Sequence, residues 1–228
     1  MSNRFSGKVA LVTGSSNGIG RGTAILFAQE GAKVTITGRN TQRLEETKQE
    51  ILKAGIPEDH VLAIATDLAT EEGQDELINK TIKKFGRLDI LVNNAGAAFN
   101  DEKGQPTFLY YAMSKAALDQ YTRSAAIDLI QHGVRVNSVS PGAVVTGFGE
   151  AMGMPSGMHE KYEHFMETHK ECIPYGAIGK PIDIAHIIAF LADRKLSSYI
   201  IGQTIVADGG SSLVMGMQAH DMMDILKS

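Results

Sequence analysis

Four short apolar runs, separated by longer amphipathic stretches that end in glycine, occupy the first 96 residues and leave few folds open. Residues 9–12 (Val-Ala-Leu-Val) are apolar at every position, as in a parallel strand buried on both faces. Residues 34–37, 61–65 and 88–92 read as further strands. Between them, residues 21–30, 41–54 and 71–85 read as helices. Gly31 closes the first, Gly55 with Pro57 the second, and Gly86 the third. Strands and helices in this alternation predict an α/β fold: a doubly wound parallel sheet in three layers.

Beyond Asn100 the pattern changes. Residues 100–106 are polar and read as loop, and 111–131 as a long alanine-rich helix with Gly133 after it. Residues 134–139 read as another strand, ended by Pro141-Gly142. Residues 147–179 read as loop and short helix and carry Met152, Met154, Met158 and Met166. Ile184, Ile187, Ile188 and Leu191 fall at i, i+3, i+4 and i+7, so 182–192 is an amphipathic helix. Residues 205–207 form a last strand before Asp208-Gly209-Gly210. No repeat or linker divides the chain, so residues 1–228 are expected to form one domain.

Composition narrows the function. A net charge of −4 supplies no basic stripe for nucleic acid. No apolar run reaches the ~18 residues of a membrane span. The polar start has no apolar signal region, and the lone Cys172 allows no intrachain disulfide. A cytoplasmic protein is expected. Cys172 reads as a packed thiol, since no paired base is identifiable. His159, His164 and His169 recur every five residues, which rotates them apart on a helix, so no metal site is expected.

Two motifs carry chemistry. Thr13-Gly14-Ser15-Ser16-Asn17-Gly18-Ile19-Gly20 follows an apolar strand and opens a helix, the context a dinucleotide-phosphate turn requires. Gly14 allows a tight exit from the strand, Gly18 lets backbone approach a pyrophosphate, and Gly20 permits close helix packing. The helix N-terminus adds N–H donors and a positive dipole end. At the end of the second strand an acid would bind the ribose 2′-hydroxyl of NAD. Gly38-Arg39 stands there instead, and a guanidinium suits a 2′-phosphate, so NADP(H) is expected over NAD(H). In Tyr111-Ala112-Met113-Ser114-Lys115, the phenol and ammonium lie at i and i+4 on one helical face. A nearby ammonium lowers a phenol's pKa, so Tyr111 is expected to act as acid/base with Lys115 as activator.

These motifs, with Asp67-Leu68, Asn93-Asn94-Ala95-Gly96, Pro141-Gly142 with Thr146, and Asp208-Gly209-Gly210, run in an order that resembles the classical short-chain dehydrogenase/reductase family over nearly the whole chain. Within it the chain is similar to glucose-dehydrogenase-like and tropinone-reductase-like enzymes. The resemblance implies a Rossmann fold and an oxidoreductase interconverting a secondary alcohol and a ketone or aldehyde by hydride transfer. It implies that Gly14, Ser16, Asn17, Gly18, Ile19, Gly20 and Arg39 contact the cofactor. Asp67 and Leu68 would frame the adenine, and Asn94, Ala95 and Gly96 would line the groove. Tyr111, Lys115, Pro141, Gly142, Val144 and Thr146 would serve the nicotinamide end. Residues 147–179 would form a substrate lid. A small carbonyl or alcohol substrate and a homodimer or homotetramer are expected.

One departure stands out. The family usually places a helix, a strand and a catalytic serine between its Asn-Asn-Ala-Gly and its tyrosine. Only residues 97–110 lie there, with no serine, and Thr107 is too close to Tyr111 for that role. Either a segment is omitted, or the deletion is real. In the second case the strand at 134–139 can pair beside the fourth strand, and the protein is a nucleotide-binding pseudoenzyme or truncated isoform of impaired activity.

Overall fold

Parallel pairing of the apolar runs builds the sheet of the N-terminal half. A computed structural model describes residues 3–96, 108–147 and 157–214. The strands and helices follow in the order β1 (Val9–Val12), α1 (Gly18–Gln29), β2 (Lys33–Gly38), α2 (Thr41–Lys53), β3 (Val61–Ala65), α3 (Glu71–Phe85), β4 (Ile90–Val92), α4 (Phe108–Ile130), β5 (Ser138–Pro141), α5 (Met158–Thr168), α6 (Pro181–Ala192), α7 (Arg194–Ser197) and β6 (Thr204–Ala207). They pack as two units. Met1–Gly96 with Pro181–Ser197 make one, and Ala97–Lys180 with Ser198–Ser228 the other.

In the first unit the strands are parallel in the order β3-β2-β1-β4. Side chains alternate between the two faces. Ala10, Val12, Val34 and Ile36 join Phe27 of α1, Leu44 and Ile51 of α2, and Ala185 and Ala189 of α6 in one core. Leu11 and Ile64 face the other way, onto Leu77 of α3. Burial on both faces makes this the doubly wound α/β sheet the sequence predicts. Phe27 is fully buried, which contributes about 1.5–3 kcal/mol. Gly22 lets α6 come close, since a β-carbon there would lie 3.2 Å from Pro181 Cβ.

Caps set the helix limits. The Asn40 side chain accepts from Arg43 N–H and that of Thr70 from Gly73 N–H, each supplying an acceptor the first helical turn lacks. Gly86 ends α3 at φ +79°.

In the second unit β5 pairs in parallel with β6, and α4 meets β6 and the turn before it through Asp119 and Ala126. The Thr204 hydroxyl donates to Asp119 Oδ1 at 3.2 Å and lies 2.6 Å from Ser138 Oγ. Thr122, Ala125 and Ala126 are buried, and Gly202 comes close beneath Ala126. One expectation is corrected here. The fifth strand begins at Ser138 rather than 134, because the Asn137 side chain takes over the pairing: its amide nitrogen donates to Ile200 O and its oxygen accepts from Gln203 N–H. Among the described residues its ladder partner is β6.

The expected lid folds around its own small core. α5 and the turn after it bury Met166, Cys172, Ile173 and Ile178 against Ala143, Tyr162 and Phe165. Met166 thus packs inward. Met152 and Met154 lie outside the described residues, as do 97–107 and 148–156. Cys172 is buried, and burial raises its thiol pKa, as suits a packed thiol. His164 is exposed, and the His169 ring stacks on Phe165 at 3.8 Å. No helix among the described residues is long and apolar enough to cross a membrane.

Candidate active site

The glycine turn leaves β1 at Val12 and is fastened on both sides. Toward β2, buried Ser15 donates its N–H to Thr37 O at 2.9 Å. Its Oγ accepts from Thr37 N–H at 2.8 Å and donates to Val12 O at 2.9 Å. Toward β4, the Thr13 hydroxyl accepts from the N–H groups of Asn94 and Ala95, both at 2.9 Å. The Asn94 side-chain amide donates to Thr13 O at 2.9 Å. Asn94 therefore positions the turn, with its amide committed to backbone. The roles of Thr13 and Ser15 escape a linear reading. The only local signal is a hydroxyl on each side of the first glycine.

Gly14 adopts φ +64°, where a β-carbon would fall 2.9 Å from Ala95 Cα. At Gly20 a β-carbon would strike Asn94 Nδ2 and lie 2.5 Å from Gly14 O. These contacts account for the two glycines. Asn17, exposed and extended, caps α1, its side chain accepting from Gly18 N–H at 2.7 Å. The first helical bond runs from Arg21 N–H to Asn17 O at 3.2 Å. The N–H groups of Ile19 and Gly20 precede it and have no intrahelical acceptor. Such donors at a positive dipole end fit a dinucleotide's phosphates.

Around the turn, Ser16 lies against Gly38 at the end of β2. Arg39 follows, exposed and with no acidic partner among the described residues. Asp67 is exposed and accepts from Ala69 N–H at 3.0 Å. Leu68 packs with the Leu11, Ile64 and Leu77 cluster. Gly96 closes the first unit.

The other expected site residues belong to the second unit. Tyr111 is half-buried and Lys115 exposed, one turn on along α4. The Lys115 ammonium lies over the phenol ring, 5.2 Å from its centroid. Here the structure corrects the expectation for Tyr111. Burial raises its pKa above the usual phenol range. The cation faces the ring rather than the hydroxyl, and desolvation disfavours the phenolate. Pro141 ends β5. Gly142 donates its N–H to Ala207 O at 3.0 Å, and a β-carbon there would lie 2.7 Å from Asp208 Cα. Val144 bridges to Gly179, and Thr146 is half-buried just beyond. Thus the first unit gathers Gly14, Ser16, Asn17, Gly18, Ile19, Gly20, Arg39, Asp67, Leu68, Asn94, Ala95 and Gly96. The second holds Tyr111, Lys115, Pro141, Gly142, Val144 and Thr146.

Known proteins share this fold. The short chain dehydrogenase family model matches residues 8–106, and that described as enoyl-(acyl carrier protein) reductase matches 99–212. Glucose 1-dehydrogenase of Gluconobacter oxydans is 32% identical over 260 residues, spanning 92% of this chain and 94% of its own. Because 92% of 228 residues is about 210, on the order of 50 positions of that alignment have no residue here. A crystal structure of a short-chain dehydrogenase/reductase of unknown function from Caenorhabditis elegans, with cofactor, superposes with TM-score 0.92 and 54% identity, covering 96% of this chain and 100% of that one. L-sorbose reductase from Gluconobacter frateurii, complexed with NADPH and L-sorbose, matches with TM-score 0.79 and 29% identity, covering 92% and 98%. By its motifs, its sheet and these relatives, the chain belongs to the short-chain dehydrogenase/reductase family of oxidoreductases.

Proposed function

We propose that this chain is an NADP(H)-dependent oxidoreductase interconverting a secondary alcohol and a ketone or aldehyde, with Tyr111 as acid/base and Lys115 as its activator. The observation that carries the reading is the turn before α1, where first-turn N–H groups lack an intrahelical acceptor, with Arg39 rather than an acid beyond β2. When bound, the nicotinamide supplies or accepts the hydride. The N–H groups of Ile19 and Gly20 hold phosphate, and the Arg39 guanidinium holds the ribose 2′-phosphate. Tyr111 keeps its proton at neutral pH because burial disfavours the phenolate, so it is set to donate to the oxygen of a reduced carbonyl. Lys115, over the ring face, offsets the charge left when that proton departs. Residues 147–179 serve as the substrate lid. The L-sorbose bound with NADPH in L-sorbose reductase and the activity naming glucose 1-dehydrogenase support a polyhydroxylated carbonyl or alcohol as the first substrates to try.

The test is NADPH consumption with a panel of ketones, aldehydes and ketoses. Turnover lost in Tyr111→Phe while NADPH still binds supports the assignment. Full turnover in that variant removes it.

A second reading has its own observation. The relatives' alignments carry on the order of 50 positions absent here, and residues 97–110 contain no serine to hold a substrate carbonyl. On this reading the chain is a nucleotide binder of low turnover. NADPH binding without consumption of any panel carbonyl favours it.

A further inference from the structure

Gly38 sits where a residue that reads the ribose 2′ position would begin, yet its φ lies outside the left-handed region. Backbone conformation therefore does not explain the glycine. Space does. An ideal β-carbon at 38 would lie 2.7 Å from Ser16 Oγ and 3.0 Å from Ser16 Cβ. Turning the Ser16 hydroxyl away relieves the first contact. It leaves the second, since Cβ does not move with its own side-chain torsion. The backbones cannot easily draw apart either. Ser15 and Thr37, the preceding pair, exchange two hydrogen bonds at 2.8 and 2.9 Å, and Ser15 Oγ is tied to Val12 O as well. Both residues of that clamp are fully buried.

We infer that Ser16 is a specificity-determining residue: its β-carbon and hydroxyl fill the space a side chain at 38 would need, so recognition of the ribose 2′ substituent passes to Arg39. The inference deepens the NADP(H) reading above and rests on it. A carboxylate at 38 is the usual reader of a free 2′-hydroxyl. Here that reader is barred by a residue of the glycine turn. Only side chains from position 39 onward reach the site, and the first of them is a guanidinium.

The experiment is a double-mutant cycle on the full chain, using S16G, G38A and S16G/G38A, read by thermal unfolding without nucleotide. Steric crowding lowers Tm by roughly 3–10 °C in G38A. The same change made in the S16G background costs less than half as much. Equal losses in both backgrounds overturn the pairing of 16 with 38. A second arm titrates NADH and NADPH into G38D and S16G/G38D. The double variant gains at least tenfold in NADH affinity, whereas G38D alone gains little and melts lower. A tenfold NADH gain in G38D with Ser16 intact overturns the gatekeeping role. Wild-type protein that binds both nucleotides equally would instead refute the Arg39 reading. In that event the melting cycle still decides the Ser16–Gly38 pairing.

Discussion

Tyr111 is half-buried, and burial pushes its phenol upward. A raised pKa means the protonated form persists to higher pH. Carbonyl reduction, which uses that form, is therefore expected to be independent of Tyr111 ionisation from about pH 6 to 9, losing the donor only above the usual phenol value of about 10. Alcohol oxidation needs the phenolate, so its kcat/KM is expected to climb about tenfold per pH unit through the same range. Profiles in both directions check this, and an oxidation limb that levels near neutrality would contradict it. At position 39, Arg39→Ala is expected to weaken NADPH about tenfold or more by removing a charge-assisted contact. NADH affinity should stay unchanged, as nucleotide fluorescence titration can show. Chemistry at this scale was partly legible in the sequence. Gly14 and Gly20 stand out because turn geometry and close packing leave no room for a side chain there, and the Tyr111–Lys115 spacing because the helical period brings the two together. The direction of the Tyr111 shift was not legible, because spacing brings a cation near a phenol without saying whether it meets the hydroxyl or the ring.

Elements with strong local caps were read almost to the residue. β3 and α3 have the predicted limits, and α2 ends one residue early, since Asn40, Thr70 and Gly86 declare the helix ends through their own side chains or backbone. β5 was misplaced because Asn137 makes its pairing through a side chain, which hydrophobic pattern does not encode. Equally hidden was the tie between the end of β4 and the glycine turn, which joins residues about 80 positions apart. Its weight can be measured. Asn94→Ala strands the Thr13 carbonyl and is expected to cost about 1–3 kcal/mol. Chemical denaturation gives that figure, and NADPH titration is expected to show weaker binding as the turn loosens.

For the whole molecule, the α/β class was evident from the alternation of runs, but the packing of α6 against α1 was not. Alternation does not say which later helix returns to an earlier sheet. Two measurements belong to this scale. The natural protein's intact mass separates the two readings of residues 97–110. A value near 24.5 kDa means the shortening is real, and one larger by on the order of 50 residues means a segment is missing. Ala189 is fully buried on α6 in the core shared with Phe27, so Ala189→Asp is expected to lower stability by about 3 kcal/mol or more, seen as a lower denaturation midpoint. The position of α6 also bears on biosynthesis. Domains emerge from the ribosome N-terminal part first, at about 5–20 residues per second. Here the outer side of α1 meets Ala185 and Ala189 only after a further 84 residues, from Ala97 to Lys180, have been translated. A nascent chain stalled in that interval presents the apolar flank of its nucleotide turn to chaperones before it can present the turn to a nucleotide.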